Sequence, residues 1–92
     1  MGSTKGIYCV VKFIEMPFLY TEEYQVVPSS WIAPGVSEQQ VLVTFPLMDK
    51  TKLLNVVKNR RPASEKWLSF PATIEFITDN FDHAMLYLDL LQ

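Results

Sequence analysis

The sequence is poor in the residues from which catalytic and metal-binding sites are usually built. Its 92 residues include one histidine, His83, one cysteine, Cys9, and three glycines. A lone histidine and a lone cysteine supply neither the clustered ligands of a zinc site nor an internal disulfide, and isolated glycines make no phosphate-binding loop. Ser29 and Ser30 lie in a predicted turn with no visible base. We therefore expect no catalysis, no cofactor, no metal and no small-molecule substrate.

Long apolar runs and a strong net charge are also missing. No stretch approaches the ~20 consecutive apolar residues that span a bilayer, and no signal peptide is visible, so we expect no membrane partner. The formal net charge is −2 with 49% hydrophobic residues, which is typical of a folded domain and too weak to indicate nucleic acid by itself. Cys9 lies in an apolar run, which favours a buried, inert thiol in a reducing compartment, the cytoplasm or the nucleus.

The residue patterns predict one small α+β domain. Residues 1–6 are interpreted as a tag remnant or a disordered N-terminus, and residues 7–92 as an interaction domain cut from a longer protein. Pro46 is interpreted as the end of the third strand, and Pro71 as a break that precedes the fourth. The sheet is expected to be mixed or antiparallel with about four strands, the first two forming an antiparallel hairpin. β-branched and aromatic residues place these strands at residues 7–15, 22–27, 39–45 and 73–78.

Two helices complete the predicted order β-β-β-α-β-α. Asp49 is the predicted N-cap of an amphipathic helix that ends near residues 59–61. Asp79 is predicted to cap the second helix, with Asp82 in its first turn favouring the helix dipole. The core side of the second helix is predicted from apolar residues at i, i+3, i+4 and i+7, which are Phe81, Ala84, Met85 and Leu88.

The second helix is apolar on the opposite side as well. At 100° per residue, Leu86 and Leu90 point away from the core side, where a surface helix is normally polar, and a contiguous exposed apolar strip marks an interaction site. Three explanations stay open: the domain covers the strip itself, a twofold mate pairs with it, or another protein or a missing segment occupies it. A homodimer is favoured because symmetric dimers are the commonest oligomers. Its predicted interface is His83, Leu86, Tyr87, Leu90 and Leu91.

Positive charge is concentrated in residues 50–66. Six of the eight Lys and Arg residues lie there against one acid, Glu65, which makes the local charge +5. One interpretation is a patch for phosphates or an acidic partner; the other is a solvated helix face whose cations favour the helix C-terminus. The net negative charge argues against nucleic acid as the main partner. The candidate contacts are Lys58, Arg60, Arg61, Lys66 and Trp67.

Several short motifs taken together resemble a known family. They are VVKF at residues 10–13, YQVVPSSWI at residues 24–32, the Phe45-Pro46 pair, the Lys-rich helix and the Pro62 to Trp67 step before the fourth strand. The combination, which covers nearly all of residues 7–88, resembles the N-terminal module of a large group of insect proteins of unknown function. Those proteins often carry a second uncharacterised domain, and many look nuclear or transposon-derived. The resemblance implies a nuclear, non-catalytic adaptor or self-association module and assigns no partner.

The sequence therefore predicts a non-catalytic protein-interaction module, self-associating as a homodimer, from a larger intracellular and nuclear protein. The alternative is a nucleic-acid-binding module that uses residues 50–66. A purely structural domain of a larger protein is a third possibility.

Overall fold

The computed structural model of the protein describes residues 7–18, 22–35, 37 and 39–91. A short 3-10 helix at Ser29–Trp31 joins the second strand to the third. The α-helices are α1 (Lys50–Lys58) and α2 (Phe81–Leu91), so the predicted α+β fold with two helices is confirmed. The predicted tag remnant at residues 1–6 lies outside the described residues. The strands are β1 (Tyr8–Phe13), β2 (Tyr24–Pro28), β3 (Ile32–Pro34), β4 (Val41–Phe45) and β5 (Leu68–Thr78).

The described strands form one antiparallel sheet in the order β2-β1-β5-β4-β3. The predicted hairpin of the first two strands is confirmed, with Cys9 opposite Val27. The predicted count of about four strands is one short, because β3 has only three residues and looks like a turn beside Pro34 and Gly35. Pairing with β4 is what makes it a strand. Gly35 is needed where β3 ends, since a Cβ there would collide with the carbonyl of Gln40.

The prediction that Pro71 precedes the fourth strand at residues 73–78 is wrong, because β5 begins at Leu68 and runs through Pro71. The Pro71 carbonyl accepts a hydrogen bond of 3.0 Å from the backbone N–H of Ile14, the residue after β1. In an antiparallel sheet the N and C=O of one residue point to the same neighbouring strand. The donor that Pro71 lacks would therefore face the end of β1, where the strand pairing stops. No hydrogen bond between β5 and β4 is lost.

The sheet must be curled, because its two edge strands follow one another in the chain. In a flat sheet β2 and β3 would lie about 19 Å apart, four spacings of about 4.8 Å. The link from Pro28 to Ile32 spans four Cα steps, which reach about 14 Å at most. Curling brings the two edges together at this end, and Trp31 in the link is buried there.

The two faces of the sheet are packed differently. On one face a cluster of aromatic rings surrounds Phe45, which contacts Phe13 at 5.2 Å and Trp31 at 6.4 Å between ring centroids. On the other face α2 covers the sheet, with the Tyr8 ring edge-on to Phe81 at 5.4 Å. The rings of the cluster are Phe13, Phe18, Trp31, Phe45, Trp67 and Phe70.

The predicted helix N-cap is correct for α1 and wrong for α2. The Asp49 carboxylate accepts a bond of 2.9 Å from the backbone N–H of Lys52, so the predicted cap of α1 is confirmed. For α2 the cap is Asn80, whose side-chain oxygen accepts from the backbone N–H of His83 at 3.1 Å, and the prediction of Asp79 is wrong. Asp and Asn cap equally well, so the local sequence does not choose between two neighbours.

Candidate interaction surfaces

The side of α2 that faces away from the sheet exposes two leucines. Leu86 is 63% exposed and Leu90 is 82% exposed, while Ala84 and Leu88 on the opposite side are buried. The prediction that α2 is apolar on its outward side is confirmed for these two residues. Within the part of the chain that the structure describes, the domain does not cover them itself.

The exposed strip is narrower than predicted, because Tyr87 and Leu91 are half-buried. The Tyr87 ring stacks on Phe76 of β5, with centroids 4.4 Å apart and an interplanar angle of 6°. Leu91 also packs against the core. His83 is exposed and lies on the same stripe as the leucines, since residues 83, 86 and 90 have the i, i+3, i+7 spacing of a helix–helix seam. We refer below to His83, Leu86 and Leu90 as the α2 strip.

The basic residues of the predicted patch are divided by the fold. Lys50 at the start of α1 is 3.3 Å from the Glu22 carboxylate. Lys66 is exposed in the loop before β5. Trp67, predicted as a possible contact for a base or an arginine, is half-buried and packs edge-on against Trp31 at 5.0 Å.

The structure brings Lys58, Arg60 and Arg61 together on the tight turn that ends α1, called the basic turn below. The backbone N–H of Arg60 donates to the Val57 carbonyl at 3.0 Å, and that of Arg61 donates to the Val56 carbonyl at 3.1 Å. This pair of bonds is the Schellman motif, in which the residue at the Arg60 position has a left-handed backbone and is usually glycine. Arg60 has φ 52°, which costs a residue with a Cβ about 1 kcal/mol.

Two core side chains hold the backbone of the basic turn in place. The Tyr8 hydroxyl donates to the Lys58 carbonyl at 2.6 Å, and the Trp31 indole N–H donates to the Arg61 carbonyl at 2.7 Å. The first bond satisfies a carbonyl in the last turn of α1, where the end of a helix leaves carbonyls without partners. The second holds the chain just past the helix. The side chains of Lys58, Arg60 and Arg61 thus extend from a backbone segment that is held by hydrogen bonds at both ends.

An open groove of about 820 Å³ lies between α1 and α2. Its lining includes Leu53 of α1 and Met85 of α2, together with polar residues such as Asp49 and Asp89. No local sequence pattern predicts the groove, because its lining comes from β2, the end of β4 and both helices, which are distant in sequence. The other apolar side chains along it are Phe18, Val26, Phe45, Pro46, Leu47, Met48, Leu54, Val57 and Leu88.

Among the described residues, no group of three or more His, Cys, Asp or Glu side chains is placed to hold a metal ion. Cys9 is buried, as predicted, and burial raises the pKa of its thiol. No helix in the described part of the chain has the length and apolar character to cross a membrane.

Comparison with known proteins adds no relative to this picture: no family model, no curated protein and no solved structure matches the chain. The resemblance to the insect module therefore stays a prediction.

Proposed function

We propose that this domain is a non-catalytic protein-interaction module that forms a homodimer through α2. The observation that supports the proposal is the exposure of Leu86 and Leu90 opposite the buried Ala84 and Leu88. Fully burying one leucine is worth about 1.5–3 kcal/mol, and a monomer leaves most of that free energy unused at both positions. Two copies packed strip to strip remove four leucines from water at once.

A twofold axis suits the geometry of the α2 strip. In an isologous interface the same patch faces itself, and the spacing of residues 83, 86 and 90 gives each helix a narrow seam for its mate. The helix is about 16 Å long at 1.5 Å per residue, and a stable interface covers about 800 Å² of each partner. Since two leucines supply only part of that area, we expect a weak dimer with a dissociation constant of about 1–100 μM.

Acidic residues border the α2 strip. Asp82 and Asp89 are exposed and lie on one side of it by helical periodicity. A dimer brings four carboxylates near one seam, and salt screens their repulsion. We therefore expect dimerisation to strengthen as salt concentration rises, in contrast to an interface made of opposite charges.

Sedimentation velocity over a range of protein concentrations tests the dimer. We expect the wild-type domain to shift from monomer to dimer with concentration, and Leu86→Glu or Leu90→Glu to stay monomeric without loss of the folded circular-dichroism spectrum. Leu47→Glu is the matched control, because Leu47 is 76% exposed but lies outside α2. A monomeric wild type at millimolar concentration contradicts the proposal, as does dissociation by Leu47→Glu to the same extent.

The nucleic-acid alternative has weaker support. Residues 50–66 carry +5, but the rest of the chain has two cations against nine acids, a charge of −7, which repels an extended polyanion. The edge-on contact of Trp67 with Trp31 also limits its use as a stacking platform. A nuclear location remains part of the proposal and rests on the family resemblance; imaging of the tagged protein in cells checks it.

A further inference from the structure

We propose that the basic turn binds a phosphorylated side chain on a protein partner. Lys58, Arg60 and Arg61 are all exposed, and none has an ion-pair partner among the described residues. Their Cα atoms lie within about 11 Å, the reach of three backbone steps, so three cationic side chains can close on one compact anion. This site lies outside the α2 strip and does not depend on the dimer.

The backbone of Arg60 indicates that its side chain serves something other than folding. Its position ends α1 in a left-handed conformation that glycine adopts without strain. A strained residue that stability does not require is a recognised sign of function. A cation at a helix C-terminus also favours the helix dipole, and the sign of the stability change in Arg60→Gly separates these two explanations.

The fixed backbone makes the basic turn better suited to binding than a mobile cluster of cations. The hydrogen bonds from Tyr8 and Trp31 hold the carbonyls of Lys58 and Arg61 at 2.6 and 2.7 Å. A site whose backbone is ordered in the free protein loses less conformational entropy on binding. Arginine adds a planar fork that donates two parallel hydrogen bonds to one phosphate, which lysine does not.

The charge distribution favours a phosphorylated side chain over nucleic acid. The turn offers three adjacent cations, whereas the chain outside residues 50–66 carries −7. An extended polyanion meets that acidic surface, while a single phosphate with about two negative charges meets only the turn. Arginine clusters recognise phosphorylated protein segments in this manner.

Nuclear magnetic resonance titration of the isotope-labelled 92-residue domain tests the site. The probe is a nine-residue Gly-Ser peptide with a central phosphoserine, and the comparison peptides carry serine or glutamate there. We expect the phosphopeptide to shift the amide resonances of residues 58–61 and the side-chain N–H resonances of both arginines. The domain should bind each of the two comparison peptides at least about tenfold more weakly than the phosphopeptide. Salt should weaken phosphopeptide binding.

Variants separate a binding role from a structural one. Arg60→Gly should raise the melting temperature by roughly 2–6 °C and weaken phosphopeptide binding about tenfold. Arg61→Gln should weaken binding similarly with the fold unchanged. Lys52→Gln is the matched control, because it removes the same charge from an exposed residue of α1 outside the turn; we expect less than about a twofold change.

Several outcomes overturn the proposal. A lower melting temperature in Arg60→Gly with unchanged binding means that Arg60 serves the helix end. Shifts that map to the α2 strip or the groove, or equal binding of the serine or glutamate peptide, remove the phosphate site. A decathymidine oligonucleotide that binds more tightly than the phosphopeptide, with Arg60 and Arg61 required, makes nucleic acid the ligand.

Discussion

The two helices precede and follow strand β5 in the chain, but they are attached to the rest of the domain by different kinds of contact. Helix α1 keeps cations on its exposed residues, buries one residue fully at Val57, and is held at its C-terminus by hydrogen bonds from core side chains. Helix α2 buries Ala84 and Leu88 and is held by ring contacts. Attachment by hydrogen bonds leaves the exposed side of α1 free to carry charge. The apolar outward side of α2 is not explained by its attachment.

Tyr8 connects the two modes, because one side chain serves both helices. Its ring packs edge-on against Phe81 of α2, and its hydroxyl bonds to the carbonyl of Lys58 in α1. The ring contact is apolar and the hydroxyl contact is polar, so the two contributions separate by substitution. Substitutions at Tyr8 therefore test the attachment of α1 and the attachment of α2 separately.

The largest expected effect is that of Tyr8→Ala. Truncating a buried aromatic residue costs about 3–5 kcal/mol, which is comparable to the whole stability of a small domain. Tyr8→Phe keeps the ring against α2 and removes only the bond to α1, so we expect a loss of about 1 kcal/mol. Urea unfolding followed by circular dichroism measures both. Equal losses in the two variants would mean that the ring contact contributes nothing.

The next largest effect on stability is expected from substitutions on the two sides of α2. Leu88→Ala leaves a cavity beside the sheet and should cost about 2–4 kcal/mol. Leu90→Ala removes an exposed side chain and should change monomer stability by less than about 0.5 kcal/mol. Thermal unfolding at a protein concentration well below the dissociation constant of the dimer measures the difference. A large loss in Leu90→Ala under these conditions would show that the α2 strip is covered within one chain.

A smaller effect tests where α2 begins. Asn80→Ala should cost about 1 kcal/mol because it removes the side-chain acceptor for the His83 N–H. Asp79→Ala serves as the control, and we expect less than about 0.5 kcal/mol. Chemical denaturation distinguishes the two. The reverse order of losses would restore Asp79 as the cap.

The smallest effect concerns Cys9, which is buried in β1. Burial raises the pKa of the thiol in the folded state, so the thiol favours folding at pH values below its ordinary pKa of about 8.5. That contribution is lost as the pH rises through the raised value, since the unfolded chain then releases the proton more readily. Native protein at pH 7 should react with a thiol reagent about 100-fold more slowly than urea-unfolded protein. Equal rates would show that Cys9 is accessible.

Local patterns predict those parts of the molecule in which neighbours in sequence are neighbours in space. Asp49 lies next to the helix that it caps, and the two apolar sides of α2 follow from helical periodicity alone. Helix α2 also shows the limit of this argument, because the angular position of Tyr87 says nothing about the Phe76 ring that stacks on it. The predicted strip included Tyr87 for that reason.

The sequence by itself determined the α+β class, the two helices, the β1–β2 hairpin, the buried thiol and the outward leucines of α2. The tertiary structure alone decided the curl of the sheet, strand β3, the groove between the helices and the fixed backbone of the basic turn. Contact between Trp31 and Arg61 joins residues thirty positions apart, and β3 exists only through pairing with β4. Such contacts depend on how the whole chain closes, which no local run of residues encodes.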